Sequence, residues 1–187
     1  MLARLDVTGI VDTLVPRRTD AGATTGTYLA VAAANRIVAP CSTSALADWW
    51  ASTAGPRWVK LGKTALDHRR IWDALDRLDE TDLHAIEAEI GRRIVARYNL
   101  DLSGLVLDMT NFATFIDSAN EAAPIAQRGK ATQKRVDLRL VDLRLVGLGL
   151  VVTRDGGIPL VSHAYPGDRP DVTQFATVID LLPILKG

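Results

Sequence analysis

The feature that most constrains the fold of this chain is a change of hydrophobic period near Asn99. Before Asn99, apolar residues recur three and four positions apart, which is typical of amphipathic helices; after it they follow strand-like patterns. The sequence therefore predicts an α+β protein with a helical domain over 1–99 and a β-rich domain over 100–187. Its 187 residues, 48% of them hydrophobic, suffice to bury a core and allow one or two domains.

Four helices are predicted in the first domain, and we expect them to form a small bundle. The predicted helices cover 24–39, 42 to the stop at 55–56, 64–78 and 81–98. Pro40 ends the first helix, and Ser42 can cap the second. We expect the tryptophans to fill the bundle core, with Trp72 and Ile90 among the buried residues.

The second domain is predicted to contain three strands followed by a helix. The strands cover 102–109, 146–153 and 158–165, and the helix covers 171 to about 182. The triplet Asp155-Gly156-Gly157 favours a tight hairpin, because these residues tolerate a positive φ. Asp171 precedes Gln174 by three positions, a spacing like that of a capping box. The order is strand, long insertion, strand, hairpin, strand, helix.

A tandem repeat lies in the long insertion. Val136-Asp137-Leu138-Arg139-Leu140 is followed at once by an identical copy over 141–145. Side chains alternate with period two along a strand, so an insertion of five residues would place the apolar residues of the two copies on opposite faces. We expect a bulge, or a first copy that lies outside the sheet.

Composition excludes several classes of protein. The 22 basic and 22 acidic residues balance, so no field of the whole protein attracts nucleic acid. The single cysteine, Cys41, excludes an internal disulfide and is compatible with a reducing compartment. The longest apolar helical run, 28–38, is too short for a membrane span, and the N-terminus shows no export signal. These features predict a cytoplasmic protein without a membrane partner.

Three short motifs do not support a site. Leu61-Gly62-Lys63-Thr64 resembles the end of a phosphate-binding loop, but position 57 is arginine where the earlier glycine is required. The three histidines are dispersed, and no serine lies in a Gly-x-Ser-x-Gly setting. Nucleotide binding, a histidine-based zinc site and a serine triad are therefore not predicted.

Asp108 is the strongest candidate for chemistry. It follows the apolar run Gly104-Leu105-Val106-Leu107, and we expect it to end a buried strand with its carboxylate at the edge of the sheet. Such a carboxylate suits Mg²⁺, or it can form a hydrogen-bonded turn with Thr110 and Asn111. A phosphoaspartate phosphatase motif is less favoured, because Thr110 replaces its second aspartate.

The insertion is locally basic. Between 128 and 144, six cationic residues face only Asp137 and Asp142. A basic segment beside a carboxylate of metal-ligand type suits a phosphodiester backbone. The candidate DNA-binding residues are Arg128, Lys130, Lys134, Arg135 and Arg139.

Several stretches together resemble the DDE-type transposases of bacterial insertion sequences, in the insertion-sequence-four superfamily. The resemblance covers most of the chain, and it is carried by 61–72, 107–112, 117–121, 126–130, 146–159 and 165–171. It implies a ribonuclease-H-like domain, DNA transposition, and Mg²⁺ bound by two aspartates and a glutamate. Asp108 resembles the first aspartate, which gives it a catalytic and metal-binding role.

The same resemblance implies that the other two carboxylates follow the last predicted helix. The second aspartate is expected on a fourth strand, but the sequence ends at Gly187. The chain is therefore interpreted as the N-terminal portion of such a transposase, with an incomplete catalytic domain and no activity alone. The alternative is a non-catalytic module that binds DNA or a partner and modulates a full-length transposase. DNA, a full-length transposase and a second copy of the chain are the expected partners.

Overall fold

The structure is a computed structural model that describes residues 2–15, 22–114, 124–128 and 144–182. The chain divides into two compact units, 1–93 and 94–187. Helices account for the first unit, and an antiparallel sheet with one helix forms most of the second. The predicted α+β class is therefore confirmed.

Seven α-helices begin in the first unit. They are α1 (Leu2–Leu5), α2 (Val7–Leu14), α3 (Thr25–Val38), α4 (Leu46–Ser52), α5 (Gly55–Trp58), α6 (His68–Leu75) and α7 (Glu80–Tyr98), with a 3₁₀ turn at Thr43–Ala45. Thr24 caps α3 by accepting a hydrogen bond from the Thr27 N–H over 3.1 Å. Helices α1 and α2 were not predicted from the sequence.

Helix α6 is shorter than the predicted 64–78. The N–H groups of Ala65 and Leu66 both donate to the Gly62 carbonyl, which makes a turn of the residues before the helix. The Asp67 side chain then caps α6 by accepting from the Arg69 N–H over 2.9 Å. The helix therefore begins at His68.

Two clusters form the core of the first unit. One contains Trp50, Leu66 and Ile71, and the other contains Ile10 and Ile86. Ile90 packs against the second cluster but is only partly buried. The expectation that Trp72 is buried is wrong, because half of its surface is exposed.

Helix α7 ends where the sequence predicts. Asn99 adopts a left-handed φ of 47°, and the Leu100 N–H donates to the Val95 carbonyl over 3.2 Å. This six-to-one bond after a left-handed residue is the Schellman arrangement, which satisfies a carbonyl at the end of a helix. The change of sequence period at Asn99 therefore coincides with a helix stop.

The sheet has β3 at its centre. The strands are β1 (Leu105–Thr114), β2 (Gln127–Arg128), β3 (Arg144–Thr153) and β4 (Pro159–Pro166), and β3 pairs antiparallel with each of the others. The pairing of β1 with β3 runs from Leu105 opposite Thr153 to Thr114 opposite Arg144. The predicted strand order is confirmed, although β1 begins and ends later than predicted.

The predicted hairpin connects β3 and β4. Gly156 and Gly157 have φ values of 82° and 60°, which side chains other than glycine rarely adopt. Helix α8 (Asp171–Asp180) follows β4. The predicted cap is wrong: the N-cap position is Pro170, and Asp171 is already helical.

Only the end of the tandem repeat is described. Leu145, the last residue of the second copy, is buried in β3. The first copy, over 136–140, lies outside the described residues, so the expected bulge stays a prediction.

No single helix among the described residues is both long and apolar enough to cross a membrane. Helix α3 and the segment Thr43–Ser52 pass that test only as a pair, and they are bent by 102°.

Candidate functional site

Asp108 lies inside β1 and not at its end. It is the fourth of the ten residues of the strand, and it is paired with Leu150 of β3. The strand continues to Thr114. The expectation that Asp108 ends the strand at a sheet edge is therefore wrong.

The following residues explain why the strand does not stop at Asp108. Thr110 pairs with Leu148, and Phe112 pairs with Val146. β-Branched and aromatic side chains fit a pleated surface well, so these residues extend the ladder with β3. The alternative of a hydrogen-bonded turn through Thr110 and Asn111 is wrong for the same reason.

The two faces of the sheet differ in their covering. Leu105, Leu107 and Met109 pack with Val178 of α8 in one hydrophobic cluster, so this side is the covered face. The alternate residues of β1 form the open face: Val106, Asp108, Thr110 and Phe112. All four are exposed.

The exposure of Asp108 on the open face removes the reason to expect a bound cation there. Its side chain lies on the solvated side of the sheet, where water can hydrate the carboxylate. The desolvation cost expected for a buried strand end therefore does not arise, and no cation is required to offset it. A role for Asp108 must rest on what else reaches the open face.

Few polar groups accompany Asp108 on this face. Leu150 lies opposite Asp108, and Ser162 of β4 lies opposite Leu150. Across the described ranges, no three histidine, cysteine, aspartate or glutamate residues lie close enough together to hold a metal ion. Asp108 is the one acidic residue in strands β1 to β4.

Arg144 lies at the far end of the same face. Arg144 pairs with Thr114 on one side and with Arg128 on the other. Asp108 and Thr114 are six positions apart in β1, which corresponds to roughly 20 Å along a strand. Arg144 therefore belongs to the same face but does not contact Asp108.

Of the predicted DNA-binding residues, Arg128 alone belongs to the described part of the chain, and it does not lie beside Asp108. Arg128 is placed by its backbone in β2, at the Arg144 end of the sheet. Lys130, Lys134, Arg135 and Arg139 lie outside the described residues. The predicted basic segment is therefore adjacent to β3 in the chain, and its contact with DNA stays a prediction.

The covered face contains a polar cluster that the sequence did not indicate. The Tyr165 hydroxyl donates to Asp171 Oδ1 over 2.7 Å, and His163 Nε2 lies 3.3 Å from Gln174 Oε1. Burial raises the pKa of Tyr165, and the hydrogen bond to Asp171 raises it further. Both bonds join β4 to α8, so this cluster holds the helix on the sheet.

Sequence reasoning also missed two exposed tryptophans in the first unit. Trp58 is 51% exposed and Trp72 is 50% exposed. Ile71 and Ala74, three positions apart, define the buried stripe of α6, and Trp72 lies about 100° from Ile71 around the helix. The spacing of Ile71 and Ala74 was the signal that could have indicated this exposure.

Comparison of the chain with protein-family models, with curated proteins and with solved structures finds no match.

Proposed function

We propose that this chain is part of a DDE-type transposase of the insertion-sequence-four superfamily and that it acts on DNA. In this proposal, the second unit is the opening of a ribonuclease-H-like domain, and Asp108 is its first catalytic aspartate. The proposal rests on the sequence resemblance described above.

One structural observation supports it most. Three long antiparallel strands are followed by a helix, and Asp108 lies on the first of these strands. This is the order that the resemblance implies for the opening of the domain.

The described residues alone do not fit a two-metal centre. Such centres hold ions about 3.5–4 Å apart, and one carboxylate cannot fix a pair of them. Asp108 is the one acidic residue of the four described strands. Mg²⁺ therefore remains the cofactor proposed by resemblance, with weak binding expected at Asp108 by itself.

The free edge of β1 offers a place for a further carboxylate. Among the described residues, β1 pairs only with β3, so its other edge has no strand beside it. A strand added there would lie about 4.8 Å away, close enough for its side chains to share an ion with Asp108. The resemblance implies such a strand, carrying the second aspartate, after α8.

DNA binding is the first test of the proposal. We expect the full chain to bind duplex DNA without sequence preference, through the basic segment. Four net phosphate contacts predict an affinity loss of about 100-fold between 50 and 200 mM salt, measured by fluorescence anisotropy. Charge reversal at Lys130, Lys134 and Arg135 should remove most binding. Absence of duplex binding at 50 mM salt would refute the proposed DNA function.

The lone carboxylate favours the second candidate function, a non-catalytic module that modulates a full-length transposase. Strand cleavage of the DNA that flanks the gene, with Mg²⁺ or Mn²⁺, tests whether this polypeptide is catalytic by itself. We expect no cleavage by this polypeptide alone. Cleavage that is abolished in Asp108→Asn but retained in the control Asp180→Asn would instead mean that other residues complete an active site.

A further inference from the structure

The two exposed tryptophans lie at the ends of a cationic stretch. The stretch 57–70 contains five lysines and arginines and one acidic residue, Asp67, although the whole chain is neutral. Trp58 is the second residue of this stretch, and Trp72 follows it by two positions. Each tryptophan exposes half of its surface, which is unusual for so large an apolar side chain.

Both tryptophans are attached to the same hydrophobic core. The rings of Trp58 and buried Trp50 have centroids 6.1 Å apart, and Val59, the next residue, packs against the cluster that contains Trp50. Ile71, the residue before Trp72, belongs to the same cluster. The buried neighbours therefore fix the backbone at both tryptophans, while their outer surfaces remain open to solvent.

Cationic residues lie near each exposed tryptophan in the chain. Arg57 and Lys60 flank Trp58 in the chain, and Arg69 lies one helical turn before Trp72 on α6. All three are exposed, and none belongs to an ion pair among the described residues. Lys63 differs, because its Nζ lies 2.7 Å from Asp48 Oδ1.

The acidic residues of α6 restrict how a polyanion can lie on it. Asp73 and the C-cap residue Asp76 follow Trp72, whereas Arg69 precedes Trp72 by one turn and the N-cap residue Asp67 precedes Arg69. A phosphate is therefore favoured beside Arg69 and disfavoured beside Asp73. Trp72 lies at the boundary, where a nucleotide held by Arg69 can place its base on the ring.

We infer that Trp58 and Trp72, with the cations near them in the chain (Arg57, Lys60 and Arg69), bind the unpaired nucleotides of a single-stranded nucleic acid; these five are called the stacking residues. Bases stack on the tryptophans, and Arg57, Lys60 and Arg69 neutralise the backbone. Stacking on aromatic side chains combined with cationic contacts is the general way in which proteins hold single strands without reading sequence. The choice of DNA as the natural ligand rests on the proposed function, since strand transfer exposes unpaired ends.

The test measures binding of a fluorescein-labelled oligothymidylate of 15 nucleotides to the full chain. We expect the affinity to fall about 10-fold in Trp72→Ala, because one stacked base is lost. Trp72→Phe should retain most of the affinity, since a smaller ring can still stack. Phe175→Ala is the matched control, because Phe175 is an equally exposed aromatic residue on α8, and its affinity should equal wild type.

Two further measurements separate stacking from a general effect of charge or folding. Arg69→Glu should reduce the slope of log affinity against log salt by about one, whereas Trp72→Ala should leave that slope unchanged. Circular dichroism should show wild-type helix content in both variants, because both side chains are exposed. An oligouridylate that binds with equal affinity would support recognition of unpaired bases regardless of the sugar.

Several outcomes would overturn the inference. The first is that the chain does not bind oligothymidylate at 50 mM salt. The second is that the double variant Trp58→Ala/Trp72→Ala binds oligothymidylate with wild-type affinity. The third is that the chain forms a dimer that Trp72→Ala dissociates, while no oligonucleotide binds. Failure of the proposed function would be seen separately. The chain would not bind duplex DNA, or charge reversal at Lys130, Lys134 and Arg135 would leave duplex binding unchanged. If the chain binds oligothymidylate but not duplex DNA, the role of the stacking residues is supported, and only the proposed contact of the basic segment with DNA is refuted.

Discussion

Asp108 lies directly opposite Leu150 in the antiparallel pairing of β1 with β3. Directly opposite residues project to the same face of a sheet, and these two lie on the face that α8 does not cover. Leu107, the preceding residue, packs on the covered side with Val151 and Val178. Two adjacent residues of one strand therefore have different environments.

This alternation predicts opposite consequences of two neighbouring substitutions. Asp108→Asn should change the free energy of unfolding by less than about 0.5 kcal/mol, because an exposed side chain is replaced by one of equal size. Leu107→Ala should cost about 2 kcal/mol, because a partly buried leucine that packs on Val151 and Val178 is truncated. Amide hydrogen exchange in β3 measures the change in the free energy of unfolding for both variants. Tryptophan fluorescence is unsuitable, because all four tryptophans lie between 49 and 72, outside the sheet. A large loss in Asp108→Asn would contradict the exposed position.

A second prediction concerns Gly147 in β3. A Cβ atom added there would lie 2.1 Å from the Tyr165 ring, a separation that the rigid ring cannot accept. Gly147→Ala should therefore destabilise the sheet by about 2–3 kcal/mol, as overpacking of a core does. The matched control is Gly149→Ala in the same strand, where the nearest atom is Val178 Cγ2 at 3.1 Å. It should cost clearly less, and equal losses in urea unfolding would show that the Tyr165 ring is not the obstacle.

The third prediction concerns alkaline pH. The pKa of Tyr165 is raised above its ordinary value of 10.0, first by burial and then by its hydrogen bond to Asp171. Above pH 10 the unfolded chain loses this proton while the folded chain keeps it, so stability falls as pH rises. Below pH 10 both states hold the proton, and the contribution is fully present.

Tyr165→Phe tests this dependence. It should cost about 1 kcal/mol at neutral pH, the typical value of one hydrogen bond, and should flatten the fall in stability above pH 10. Tyr98→Phe serves as the control, because the Tyr98 side chain is 45% exposed. The stability at each pH is measured by hydrogen-exchange protection of β4, after correction for the intrinsic exchange rate at that pH. An unchanged alkaline dependence in Tyr165→Phe would refute the assignment.

The parts of the fold that were predicted correctly depend on local chemistry. The hairpin at Gly156-Gly157 follows from residues that accept a positive φ, and the end of α7 follows from the change of period at Asn99. The end of β1 was not predictable in this way. It is set by pairing with β3, a strand distant in sequence, which continues past Asp108 to Thr114.

The candidate site was harder to predict from the sequence than the fold was. Asp108 was identified, but its side of the sheet depends on where α8 packs. Trp72 was assigned to the core because tryptophan is usually buried. In the structure, Ile71 and Ala74 are the buried residues of α6, and Trp72 is exposed. Hydrogen bonds such as Tyr165 to Asp171 require the tertiary structure, because no local pattern specifies the partner.

The edge of β1 that no described strand pairs with also bears on the tendency of the protein to aggregate. An exposed edge strand is a template for pairing with other chains, and charged side chains reduce that tendency. Asp108 is the single charged residue of β1, and it lies between Val106 and Phe112, which are both half exposed. Removing its charge should lower the concentration at which the chain aggregates, even where the stability of the monomer is unchanged. The same carboxylate that is proposed for catalysis is therefore expected to limit pairing of this strand with other chains.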